Sequence, residues 1–83
     1  MSSADDSPIG LIGLITVSTR GSGGPGEVAL RIRGGTETYL ASSERPLARG
    51  TRVVVITMQG PRSVLVDPVE GYGGSSLDLS EGN

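Results

Sequence analysis

The stretch RGTRVVVITMQGPRSVLVDP, residues 49–68, has the pattern of a β-hairpin and decides the fold class. Two runs rich in β-branched residues, 53–57 and 64–66, flank a turn at residues 59–62. A Gly-Thr pair precedes the first run, and an Asp-Pro pair follows the second. The hairpin therefore predicts an all-β protein whose upstream residues supply further strands.

The residue types missing from the chain exclude several kinds of functional site. Its 83 residues include no cysteine and no histidine. This excludes disulfides, thiolate nucleophiles, the usual zinc sites and histidine-based catalytic triads. The carboxylates between residues 9 and 68 stand singly and match no calcium-loop spacing. We therefore predict no enzymatic activity, no cofactor and no metal.

Composition also sets the expected domain boundaries. Residues 1–8 and 69–83 are small, polar or acidic, and they are predicted to be a disordered leader and a disordered tail around one domain at residues 9–68. All seven arginines lie in that domain against four carboxylates, so its net charge is +3, although the whole chain carries −2. A mildly basic domain could bind an anionic partner, but the acidic ends would oppose this.

The most apolar segment, IGLIGLITV at residues 9–17, could be mistaken for a targeting signal. It is half as long as the roughly 20 residues that cross a bilayer. It also lacks the preceding basic segment and the following cleavage site of a secretory signal. We predict a buried strand here and expect the chain to be soluble and cytoplasmic.

The upstream residues supply three predicted strands. The first covers residues 11–20, with Gly13 as a bend that lets one long strand pair with two neighbours. Residues 21–26 form a glycine-rich connection, because a phosphate-binding loop would lead into a helix. The second strand covers residues 27–33 and alternates. Its core-facing residues are Val28, Leu30 and Ile32.

The register of the third strand depends on the turn that precedes it. A two-residue loop, Gly34-Gly35, would direct Glu37 and Tyr39 into the core. A three-residue loop, residues 34–36, would instead direct Leu40 inward. We favour the three-residue loop, because it buries no carboxylate. The three-residue loop places Arg33 opposite Glu37 and Arg31 opposite Tyr39. These residues would be either solvated cross-strand pairs or a face that binds a ligand. That ligand face would consist of Arg31, Arg33 and Tyr39.

The fourth predicted strand is apolar on both faces. Pro46 ends the third strand, and Leu47 is expected to close the bottom of the barrel. Val53 and Val55 are assigned to the core with the valines of the last strand. The other face would be covered or would form an exposed apolar patch, which is the best sign of a protein partner. The residues of this candidate interaction surface are Val54, Ile56 and Met58. A slip of one residue would exchange the two faces.

Five strands within residues 9–68, with a long first strand and a terminal hairpin, predict a small five-stranded barrel. The expected type is the oligonucleotide/oligosaccharide-binding (OB) fold, with an SH3-like barrel as the alternative. In either fold, closure removes strand edges that would otherwise aggregate.

At several points the chain resembles the soluble C-terminal domain of the NfeD-like proteins. The matching segments are the opening Gly10-x-x-Gly13 with residues 14–16, then residues 26–28, 39–41, 46–47, 49–55 and 64–68. The resemblance implies an OB-fold domain without enzymatic activity. In the family this domain is normally attached behind transmembrane helices and works beside stomatin- or flotillin-type scaffold proteins. For this chain it implies a membrane-associated location and a protein partner. No membrane segment precedes residue 9, so we expect an excised domain or a natural soluble version.

The alternative function is binding of single-stranded nucleic acid. OB folds that bind single strands stack bases on aromatic side chains beside a basic groove. Here Tyr39 would be the one stacking platform, beside Arg31 and Arg33. One aromatic residue and a net charge of +3 are thin support, so protein interaction ranks first.

Overall fold

Seven strands make up residues 7–69, the part of the chain that this computed structural model describes. They are β1 (Ile12–Val17), β2 (Thr19–Arg20), β3 (Gly26–Ile32), β4 (Gly35–Ser42), β5 (Pro46–Leu47), β6 (Arg52–Gly60) and β7 (Ser63–Pro68). A short 3-10 turn, Gly21–Gly23, follows β2. Apart from residues 7, 8 and 69, the predicted leader and tail lie outside the described residues. Nowhere in residues 7–69 is a helix long and apolar enough to cross a membrane.

Five of these strands close a barrel in the order β1–β3–β4–β7–β6. Every neighbouring pair is antiparallel except β4 and β7, which run parallel where residues 40–42 meet residues 63–65. The short strands β2 and β5 pair with each other outside the barrel order. This closed five-stranded arrangement confirms the predicted all-β, OB-type fold class.

The barrel interior is filled by aliphatic side chains and one tyrosine. The alternation of β3 directs Val28 and Leu30 inward, and Leu47 of β5 is buried with them, as the sequence predicts. The complete core is Ile15, Val28, Leu30, Tyr39, Ala41, Leu47, Val53, Val55, Val64 and Val66. Leu11, Ile32 and Met58 are partly buried and pack against it.

Strand β1 pairs with two neighbours, as predicted for a long first strand. Its residues 12–14 pair with β6, and its residues 14–17 pair with β3. The irregularity in the pairing lies between Ile15 and Val17, however, and not at Gly13. Gly13 instead lets β3 pack closely against β1. A Cβ atom at this position would lie 2.5 Å from Leu30 Cδ2 and 2.7 Å from the Ala29 carbonyl oxygen.

The favoured register of the third barrel strand is wrong. The turn between β3 and β4 is the two-residue loop Arg33-Gly34, whose φ angles of 58° and 81° are both positive, as a type I′ turn requires. Ile32 therefore pairs with Gly35. In this register Tyr39 lies opposite Val28 inside the barrel, and Leu40 is exposed.

Burial of the Glu37 carboxylate would disfavour this register, but the structure leaves that side chain partly exposed. Glu37 is directed to the inner side opposite Leu30, yet its side chain remains 43% exposed. Arg62 Nη1 donates a hydrogen bond to Glu37 Oε1 at 2.7 Å. Because the carboxylate reaches both solvent and a cation, the register is decided by burial of Tyr39 and Ala41.

A buried hydroxyl pair joins β2 to the segment between β4 and β5. Thr19 Oγ1 and Ser43 Oγ are 2.6 Å apart, and Ser43 Oγ donates to the Arg45 carbonyl oxygen at 2.6 Å. Thr19 Oγ1 also lies 3.4 Å from the Arg45 carbonyl oxygen, so both hydroxyls converge on that acceptor. The Leu47 backbone N–H donates to Thr19 Oγ1 at 2.8 Å. Thr19 therefore satisfies a buried backbone group as well as a buried side chain.

Thr19→Val keeps the shape of this side chain and removes its hydrogen bonds. We expect it to lower the free energy of unfolding by about 1–3 kcal/mol, because the buried Leu47 N–H loses its acceptor. Urea denaturation followed by circular dichroism measures the change. The control is Thr16→Val at an exposed position of β1, expected within about 0.5 kcal/mol of the parent protein. Equal stability of the two variants would contradict a structural role for Thr19.

Candidate interaction surface

The predicted surface of Val54, Ile56 and Met58 is only partly formed, because the pairing of β6 with β7 is irregular. Val53 and Val55 lie in the core, as that prediction required. Register shifts then occur between Val55 and Thr57 and between Met58 and Gly60.

Each shift inserts an extra residue and reverses which face the next side chains occupy. Met58 consequently lies opposite the buried Val64 and packs against the core, whereas Thr57 is exposed. Val54 and Ile56 are half-buried. Assigning Val54, Ile56 and Met58 to one outer face is therefore wrong, and of the three we retain Val54.

The predicted ligand face of Arg31, Arg33 and Tyr39 is not assembled either. Tyr39 is buried, and the Arg62 guanidinium lies over its ring at 4.7 Å from the centroid. Arg31 is exposed and pairs with Thr36, and Arg33 lies in the β3–β4 turn. The two-residue turn separates these side chains, because it moves Tyr39 to the inner face.

Large exposed aliphatic side chains are concentrated in the segment that leads into and forms β1. In the described part of the chain they are Ile9, Ile12, Leu14, Val17 and Leu40. Four of these five lie within residues 9–17, which the sequence analysis assigned to a buried strand. That run is apolar on both faces, but a strand of a small barrel has only one inner face. An apolar pattern on both faces of this strand is therefore the feature of the sequence that could have indicated an exposed patch.

The exposed side chains of β1 adjoin Val54 of β6. Ile12 pairs directly with Val54, and Leu14 is two residues further along β1 on the same side. Ile12 and Leu14 are each 46% exposed. We call the surface formed by Ile12, Leu14 and Val54 the β1–β6 face.

Two opposite charges lie at the border of the β1–β6 face. Arg52 of β6 pairs with Leu14, and Asp67 of β7 pairs with Val54. Neither charged residue forms an ion pair within residues 7–69. Ala29 of β3 extends the apolar surface on the other side of Leu14. The face is thus an aliphatic surface with one cation and one anion on the same border.

Groups that could hold a metal ion are lacking in the part of the chain that the structure describes: no three carboxylates come together there. The molecule is therefore best described by its fold and its surface, as an OB-type barrel domain with an exposed aliphatic face.

Comparison with known proteins identifies the family of this domain. The family model of the NfeD C-terminal domain matches residues 12–67. The chain belongs to the NfeD C-terminal domain family, which confirms the resemblance seen in the sequence. It is also similar to the solution structure of the soluble domain of the NfeD protein YuaF from Bacillus subtilis. The sequence identity is 27% and the TM-score is 0.67, over 81% of this chain and 80% of that chain. No curated protein sequence matches the chain.

Proposed function

We propose that this domain is a non-enzymatic protein-interaction module that binds its partner through the β1–β6 face. The observation that carries the proposal is the exposure of Ile12 and Leu14 side by side with Val54. Burying aliphatic surface against a partner is favourable by roughly 25 cal/mol per Å². Contiguous aliphatic exposure on a small domain is therefore a recognised sign of a protein contact.

The geometry of the face suits a flat protein surface better than a small ligand. Its backbone is held in the barrel by strand pairing on both sides of β1. Its side chains are branched aliphatics, which gain affinity by packing and need no cleft. Arg52 and Asp67 would lie at the rim of such a contact, where charges select the orientation of a partner more than they add affinity.

Membership of the NfeD family supports a more specific partner. We propose a stomatin- or flotillin-type scaffold protein, the class beside which NfeD-like proteins work. The domain would then act at a membrane, held there by an anchor or by its partner, with the β1–β6 face directed to the scaffold. A cytoplasmic location is part of the same proposal.

Binding of single-stranded nucleic acid is the second candidate and ranks lower. Tyr39 is the one aromatic residue in residues 7–69, and it is buried. A base cannot stack on it without opening the barrel. The outer side of β3 and β4, where OB folds bind oligonucleotides, presents Arg31 among threonines and Leu40.

Leu14→Asp is expected to weaken partner binding at least tenfold without unfolding the domain, because it places a carboxylate in the aliphatic contact. The measurement is a heteronuclear NMR titration of the 15N-labelled chain with the soluble region of a stomatin-type protein from the same organism. The parent protein should show saturable shifts centred on the β1–β6 face. Leu40→Asp is the matched control, since Leu40 is 48% exposed on a different strand and its replacement should leave affinity unchanged.

A parallel titration with a mixed-sequence single-stranded oligonucleotide tests the second candidate. Saturable shifts near Arg31 and Arg33 that weaken with added salt would replace protein interaction by nucleic-acid binding. Equal loss of scaffold binding in the Leu14→Asp and Leu40→Asp variants would contradict the β1–β6 face as the contact.

A further inference from the structure

We propose that the β1–β6 face also joins two copies of this domain in a two-fold symmetric dimer. Self-association would then compete with the protein partner for one surface. The competition rests on the proposed function, whereas the dimer is argued from the face alone.

The side chains of the face lie in two rows, with the two charges on one border. One row, read from β7 to β1, is Asp67, Val54 and Ile12, and the next row, read from β6 to β3, is Arg52, Leu14 and Ala29. Neighbouring strands are about 4.8 Å apart, and two residues along a strand cover about 6.8 Å. Arg52 and Asp67 are therefore diagonal neighbours on one border of the face, carrying opposite charges.

A two-fold axis makes such a border complementary to itself. When two identical faces meet, the two-fold axis lies in the plane between them. Each side chain of one copy then contacts the residue of the second copy whose position on the face is the mirror image across the axis. An axis that runs diagonally between Val54 and Ile12 brings Arg52 of one copy against Asp67 of the second copy. The symmetry repeats this pair, so Arg52 and Asp67 of each copy, which form no ion pair within residues 7–69, both obtain a partner.

The same axis places the apolar residues together. Val54 and Ile12 flank the axis closely, so these two side chains of each copy meet the same two side chains of the second copy. Leu14 lies beside Arg52 and further from the axis, at the edge of the contact. A second copy of this chain thus supplies both an apolar centre and matched charges at the rim, which is the usual anatomy of a protein interface.

The small size of the face limits the affinity. Three aliphatic residues and two charges per copy give an interface at or below about 1,200 Å², the range of transient complexes. We expect a dissociation constant on the order of 0.1–1 mM, tight enough to matter where many copies are held close together.

The test is sedimentation velocity and NMR of the 83-residue chain from 20 µM to 2 mM. We expect a concentration-dependent dimer with shifts confined to the β1–β6 face. Arg52→Asp and Asp67→Arg should each weaken it at least fivefold by opposing like charges. The double variant Arg52→Asp/Asp67→Arg should return to within about twofold of the parent, because the pair is restored in reverse. Leu40→Asp should leave the dimer unchanged.

Several outcomes separate this inference from the proposed function. A parent protein that stays monomeric at 2 mM, or a double variant without recovery, overturns the dimer. The proposed function would remain supported after either result if the Leu14→Asp variant fails to bind the scaffold while the parent protein binds it. A dimer that binds the scaffold equally well at low and high concentration overturns the competition. Dispersed NMR spectra of each variant establish that it is folded.

Discussion

Gly26→Ala is expected to lower the free energy of unfolding by about 4 kcal/mol or more, enough to leave much of the protein unfolded. Gly26 is buried at the first position of β3. A Cβ atom there would overlap the Val17 carbonyl oxygen and lie 2.5 Å from the Ser18 carbonyl oxygen. These are backbone atoms at the irregular end of β1, so they cannot rotate away as a side chain would.

Gly35→Ala is the matched control for this replacement. Gly35 is also the first residue of a strand, but it is exposed, and the nearest atom to an added Cβ is the Ile32 carbonyl oxygen at 3.8 Å. We expect a change within about 1 kcal/mol. Urea denaturation of both variants decides the matter, and a Gly26→Ala protein as stable as Gly35→Ala would refute the close approach of β1 and β3.

Tyr39→Ala is expected to cost about 3–5 kcal/mol of stability, the range for removing a buried aromatic ring. The ring fills the barrel opposite Val28, and its outer side is covered by Arg62. The same arginine also bonds Glu37 and, through Nη2, the Thr38 carbonyl oxygen at 2.9 Å. Loss of the ring therefore leaves a cavity and removes the surface on which Arg62 is packed.

Tyr39→Phe separates the ring from its hydroxyl. That hydroxyl makes no hydrogen bond to residues 7–69, so we expect a change within about 1 kcal/mol. Thermal and urea unfolding of the two variants provide the measurement. If Tyr39 were an exposed stacking platform, Tyr39→Ala would keep the stability of the parent protein and lose only ligand affinity. That result would contradict the register described here.

The barrel was predictable from the sequence because its inner positions follow regular alternation. The valines of the terminal hairpin and the alternating residues of β3 place the core correctly, and glycines mark the connections. The paired assignment of β1 to two neighbours also follows from its length. These features depend on local pattern and burial, which a single sequence contains.

The missed features depend on contacts between distant residues or on backbone irregularity. Glu37 is acceptable on the inner side because Arg62 lies beside it, and nothing in the local sequence joins residues 25 positions apart. Arg33 adopts a positive φ angle that non-glycine residues seldom use, so both turns considered from the sequence began at Gly34 and not at Arg33. The bulge that turns Met58 inward has no glycine or proline to mark it.

The candidate surface moved for the same reason. Once Met58 turns inward, the outer side of β6 presents too little apolar area by itself. Large exposed aliphatic side chains lie instead on β1. Ile12 and Leu14 occupy the outer positions of this strand, and Gly13 and Ile15 occupy its inner positions. Within the apolar run at residues 9–17, residues 12–17 form the predicted strand, but only one of its two faces is buried in so small a barrel.

The parallel contact between β4 and β7 has a consequence for how the chain folds. The hairpins β3–β4 and β6–β7 join residues close in sequence and can form early. Closure must wait until residues 63–65 reach residues 40–42 and residues 12–14 reach residues 52–54, and both contacts cost loop entropy before they form. We expect folding in milliseconds to seconds, limited by this step. Until it occurs, both strands offer open edges to other chains, so the nascent protein is most vulnerable to aggregation just before the barrel closes.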